Sequence, residues 1–151
     1  EGDIMAVGEG KEFPVETEDV LARIGSIMVI RQSETDEEGV MRVDYDDQKI
    51  GIILSKKDFV AYKLIRDHEP LAGTLTSTIV LPVLVHALGL MQAGGGEDYS
   101  EWRWHRTLKS RLEKMGVNQE YDALEVAQQI LERPIKRALA SASAYVHAEE
   151  A

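Results

Sequence analysis

The spacing of apolar residues changes along the chain. Met41, Val43 and Tyr45 alternate with Arg42 and Asp44, and Ile50, Ile52 and Leu54 repeat the alternation. A period of two puts apolar side chains on one face of a pleated strand. The pattern predicts strands over Ser26–Gln32, Val40–Tyr45 and Lys49–Leu54, with Asp46-Asp47-Gln48 as a turn. Two earlier strands, Asp3–Val7 and Glu12–Val15, flank the hairpin signal Gly8-Glu9-Gly10. Between these groups, Asp19–Ile24 is compatible with a short helix.

From Ser55 the period becomes helical. Ser55 is followed by Asp58 at the third position, close to a capping box. Val60 and Leu64 share a face with Phe59 and Ile65 beside them, and Pro70 is expected to end this helix near His68. A central helix follows from about Leu75 to Ala93. Pro82 should kink it or start its main segment, and Gly94-Gly95-Gly96 should stop it. The next helix runs from about Tyr99 to Met115, with Trp104, Leu108, Leu112 and Met115 in one apolar stripe. Arg103, Arg106, Ser110 and Lys114 fall on the other side, and Gly116 is placed as the residue beyond its end. Asp122 caps another helix whose inner face is Val126, Ala127, Ile130 and Leu131. Pro134 opens a last helix, predicted to bury Ile135, Ala138, Leu139, Ala142 and Tyr145.

Strands first and helices afterwards read as an α+β fold. The expectation is a small antiparallel β-sheet in the N-terminal third, packed under a C-terminal subdomain of four to five helices. The chain is read as a single domain over residues 1–151, β-rich across residues 1–54 and helical across residues 55–151. It is expected to be a piece of a longer polypeptide.

The stretch from Gly73 to Gly96 carries no charge, which raises the question of a membrane span. Its strongly apolar core, Ile79 to Met91, is shorter than the roughly 20 residues a span needs, and it contains Pro82, His86 and Gly89. Acidic residues flank it, with no Lys or Arg cluster to set an orientation. A buried central helix is therefore expected, and a membrane location is not.

The formal net charge is −10, and it is uneven: residues 1–50 carry 14 acidic and 5 basic side chains, residues 101–151 eight of each. An acidic protein repels phosphate backbones, so nucleic acid is a poor partner. The chain has no cysteine, which excludes disulfides, thiolate metal sites and a Cys nucleophile, and fits a cytoplasmic location.

Chemical motifs are incomplete. Gly8-Glu9-Gly10-Lys11 lacks the spacing and hydroxyl of a phosphate loop. Glu34, Asp36, Glu38 and Gly39 match the start of a calcium loop, but its closing acid would be Tyr45. Asp44-Tyr45-Asp46 begins an aspartyl phosphotransferase signature that Gln48 breaks. Asp44, Asp47 and Lys49 resemble the end of a metal-dependent nuclease motif, although Asp-rich turns arise without any chemistry. His68, His86, His105 and His147 form no metal-ligand pair by spacing. His86, in the apolar helix, reads as a core imidazole or, less simply, as a general base tuned by burial. No nucleophile elbow is present.

Trp102, Arg103 and Arg106 make the best candidate contact surface, since Trp and Arg are the enriched anchors of protein interfaces. The leading expectation is a non-catalytic interaction or assembly module, needing no cofactor or metal. Its partner would be a protein, a neighbouring domain of the same polypeptide, or a second copy. The alternative is a metal-dependent phosphodiesterase or nuclease using Asp44, Asp47 and Lys49. A third reading is a small-molecule binder with its pocket beside His86.

Overall fold

The computed structural model describes residues 24–35, 39–93 and 99–150. The predicted strands Asp3–Val7 and Glu12–Val15, nearly all of the Asp19–Ile24 helix, and the Gly94-Gly96 stop lie outside them. Three strands form one sheet: β1 (Met28–Gln32), β2 (Arg42–Asp44) and β3 (Ile50–Leu54), in the order β1-β3-β2. Among the described residues six α-helices follow: α1 (Lys56–Arg66), α2 (Glu69–Leu75), α3 (Leu81–Gln92), α4 (Arg103–Met115), α5 (Ala123–Ile130) and α6 (Pro134–Glu150). The α+β arrangement expected from the sequence is therefore the one observed.

The sheet is mixed. β2 and β3 form the expected antiparallel hairpin, pairing Arg42 with Ile53 and Asp44 with Gly51. β1 runs parallel to β3, pairing Met28 with Ile50 and Gln32 with Leu54. β1 and β2 are the two edge strands, two strand spacings or about 10 Å apart, and β3 fills the place between them. As the central strand, β3 buries Ile50, Ile52 and Leu54, the three residues of the period-two pattern. At Gly51 the missing side chain leaves room for the Arg31 guanidinium, which a Cβ there would displace. Arg31 crosses over that glycine and comes within 3.7 Å of Asp44 on β2.

Ser55 caps α1 as the sequence indicates: its Oγ accepts a hydrogen bond from the Asp58 N–H at 3.2 Å. This helix ends ahead of Pro70, close to the expected His68. α1 stops at Arg66, and Pro70 is the second residue of α2, where its missing N–H costs nothing. Pro82 acts similarly on a larger scale. It cannot donate to the carbonyl four residues back, so the turn before it widens into a π-helical turn over Thr76–Val80, closed by Leu81 N–H to Thr76 O. α3 then begins with Pro82 in its first turn.

The helix continuing from Gly73 to Gln92 is long and apolar enough to cross a membrane by length and composition. It is not buried all round. Leu81, Val83, Leu84, Ala87 and Leu88 enter the core, whereas Pro82 and His86 are exposed. The core joins these residues to β1, β3, Trp104, Leu108 and Leu112 of α4, and Val126, Ala127, Ile130 and Leu131. Gly116 closes α4 with φ 73°, and Asp122 caps α5 by accepting from the Glu125 N–H at 3.0 Å.

The last helix departs from expectation. Ile135, Leu139, Ala142 and Tyr145 are exposed, and Ala138 is half-buried. α6 instead lies against α2 through its Arg137–Ser141 face. The two backbones approach at Gly73, where a Cβ would sit 3.1 Å from Ser141 Oγ and 3.2 Å from Arg137 O. The small residues on both sides permit this approach, and it turns the large apolar residues outward.

Candidate functional site

Trp104 is fully buried and organises the joint between the sheet and α4. Its indole Nε1 donates to Tyr45 O at 3.0 Å, and its backbone N–H donates to Gln48 O at 2.9 Å. Gln48 also accepts the Arg103 N–H on its side-chain Oε1 at 3.0 Å. Trp102, the residue at the N-cap, supplies no side-chain bond of its own. The hairpin turn therefore caps α4 from outside, filling two of the donors that every helix start leaves open.

That arrangement accounts for the Asp-rich segment. Asp44 Oδ1 accepts from the Asp46 N–H at 2.9 Å, and Asp47 Oδ1 from the Gln48 N–H at 2.6 Å. Lys49 Nζ turns away and donates to Gly25 O at 2.7 Å. Asp44, Asp47 and Lys49 thus serve an ion pair to Arg31, a turn and a carbonyl. Among the described residues no cluster of three or more His, Cys, Asp or Glu has metal-binding geometry.

His86 is neither core nor buried base. It is exposed on α3, and its Nδ1 lies 2.8 Å from the Tyr45 hydroxyl. The Tyr45 ring packs against His86, Tyr99 and Trp104, with centroids 5.3, 6.4 and 5.9 Å away. Burial, and secondarily the neighbouring Tyr99, push the Tyr45 hydroxyl up to about 12. The hydroxyl keeps its proton at physiological pH, so the pair locks the hairpin onto α3.

The buried histidine is His105, which the sequence shows only as a member of the polar Trp102–Arg106 run. It is 6% exposed, and its Nδ1 has no hydrogen-bond partner among the described residues. Burial, then the charge of Lys109, lowers its pKa from the usual histidine value. Its neighbour in the sequence, Trp104, is the core residue of the stripe; adjacency to that stripe was the available signal. His105 lines a cavity of about 690 Å³ with Lys109, Gln92, Asn118 and Tyr121. Gln92 braces one wall by donating to the carbonyls of Gln119 and Tyr121, at 3.1 and 2.6 Å. Tyr121 donates in turn to Leu88 O at 2.8 Å.

Trp102 is half-buried and packs against the core, while Arg103 and Arg106 are exposed. Arg106 donates through Nη1 to Glu101 O at 2.6 Å and reaches a second cavity, of about 410 Å³, behind α4.

Among the described residues, exposed apolar side chains also recur on two helices. On α6, Ile135, Leu139, Ala142 and Val146 recur at intervals of four, three and four, and all are exposed. Leu139 is 67% exposed and Val146 52%. On α1 no residue is buried, and Leu64 is 74% exposed. There Lys63 and Arg66 cover the rings of Phe59 and Tyr62, at 5.6 and 5.8 Å, leaving Val60 and Leu64 bare.

Comparison of the chain with protein-family models, curated proteins and solved structures finds no match.

Proposed function

We propose that the chain is an assembly module that docks a helical protein surface, a second copy in the first instance, along α6. The observation that carries this reading is the exposed row Ile135, Leu139, Ala142 and Val146. Its four-three-four spacing is that of the a and d positions of a coiled coil. A row of that kind is wasted in water and matches another helix carrying the same row. Two copies related by a two-fold axis bury identical patches against each other. α6 is suited to the role because α2 holds it by a different face, which leaves the row free.

α1 supports the reading independently. A helix of 11 residues is marginal in water without tertiary packing, and this one sets Phe59 and Tyr62 against the core only partly buried, with no side chain fully buried. Association that covers Val60 and Leu64 would stabilise it.

Sedimentation over micromolar to millimolar concentration tests the proposal. Self-association is expected, with Leu139→Glu shifting the chain to monomer while its circular dichroism is retained. A chain that stays monomeric throughout, or associates equally well with Leu139→Glu, contradicts it.

A further inference from the structure

The second cavity is chemically distinct from the docking row. Arg106, Arg111 and Lys114 reach it from successive turns of α4, together with the hydroxyls of Thr107 and Ser110. Its opposite wall is apolar and includes Ile24, Ile27 and Ile130, all buried. Among the described residues no Asp or Glu lines it. Arg111 Nε is buried and has no partner among the described residues. Neither Arg111 nor Lys114 has an ion-pair or hydrogen-bond partner among the described residues. Buried guanidinium donors are normally paired, since leaving them dry and unbonded is costly.

We infer that this cavity binds a small organic anion: a carboxylate or phosphate head on an apolar body. The head takes the forked donors of Arg111 and the charges of Arg106 and Lys114, a geometry that suits planar or tetrahedral oxyanions. The body lies on the isoleucine wall. A volume of about 410 Å³ falls within the range of ordinary small-molecule sites. The site is independent of the assembly reading, and it gives Arg106 a role different from the protein contact that its sequence context indicates.

The test is thermal denaturation of the full chain with four probes: octyl phosphate, octanoate, octan-1-ol and inorganic phosphate. A ligand that binds the native state raises the melting temperature with its concentration. One or both amphiphilic anions are expected to do so, and comparing them identifies the head group. Octan-1-ol should have no effect, and inorganic phosphate a smaller one than octyl phosphate. Arg111→Met should remove the effect. Lys114→Met, at an exposed position that leaves the fold intact, should weaken binding about tenfold, the loss of one charge-assisted bond. Lys109→Met, on the other cavity, should leave it unchanged. The inference is overturned if neither anion stabilises the chain, if octan-1-ol acts equally, or if Lys114→Met binds as well as the parent.

Discussion

The Tyr45 hydroxyl and His86 Nδ1 lie 2.8 Å apart, tying the end of β2 to an exposed position on α3. Tyr45 stays protonated, and no other partner for its hydroxyl is present among the described residues. A protonated hydroxyl can donate to Nδ1, and that direction of the bond corresponds to a His86 proton on Nε2. Nitrogen-15 spectra at mildly alkaline pH should show the Nε2–H tautomer for His86, and Tyr45→Phe should release the preference. The same contact sets an alkaline limit. The folded Tyr45 pKa is raised from 10.0 to about 12, so the unfolded chain loses this proton first. Its contribution is complete below pH 10 and is lost as pH rises toward 12. Tyr45→Phe should flatten stability over that interval.

His105 gives the opposite sign. Its pKa is lowered in the folded state, so between the folded and unfolded values the unfolded chain binds more protons. Stability from this residue is complete above about pH 6.5 and is lost as pH falls from there through the lowered folded value, with a slope of up to about 1.4 kcal/mol per pH unit. Melting temperatures measured as pH is lowered from neutral into the mildly acidic range should decline, and His105→Phe should reduce the decline.

Gln48 and Trp104 make the hairpin turn a helix cap. Gln48→Ala removes the side-chain acceptor for Arg103 N–H and should cost about 1 kcal/mol in urea denaturation. Trp104→Ala opens the core and frees Tyr45 O, and should cost about 3–5 kcal/mol. Asp47→Ala, which removes only a turn contact, should cost less than either.

The entry into α6 is strained. Glu132 and Arg133 have φ of 57° and 60°, a left-handed conformation that β-carbon sterics disfavour. Arg137 holds this turn by donating to the carbonyls of Leu131 and Glu132. Arg133→Gly should be neutral or raise stability by up to about 1 kcal/mol. Arg137→Ala should lower it by about 1–3 kcal/mol, because two carbonyls lose their donor.

Elements whose signals are local were legible in the sequence. Ser55, Asp122 and Gly116 mark helix ends through their own backbone preferences, and the Trp104–Leu108–Leu112 stripe is buried because one helix face meets one core. What was not legible depends on distant partners. Nothing near Ile135 or Leu139 indicates that Gly73 will draw α6 in by its small face. Nothing near Asp47 indicates that the turn will cap a helix far along the chain. The parallel pairing of β1 is likewise a long-range outcome, since β3 enters between β1 and β2, an order that apolar periodicity does not encode. His105 was only weakly legible as a buried group: its one local signal is that it directly follows Trp104 of the buried stripe, and the packing around Trp104 completes its burial.

Because the chain contains no cysteine, a single introduced thiol reports on α6 alone. Ala142 lies in the exposed row, and Ala144, also exposed, lies on the far side of the helix from it. Under mild oxidation, Ala142→Cys should form a disulfide-linked dimer rapidly and Ala144→Cys only slowly. Equal rates for the two, or no cross-linked Ala142→Cys dimer at all, would contradict assembly through α6.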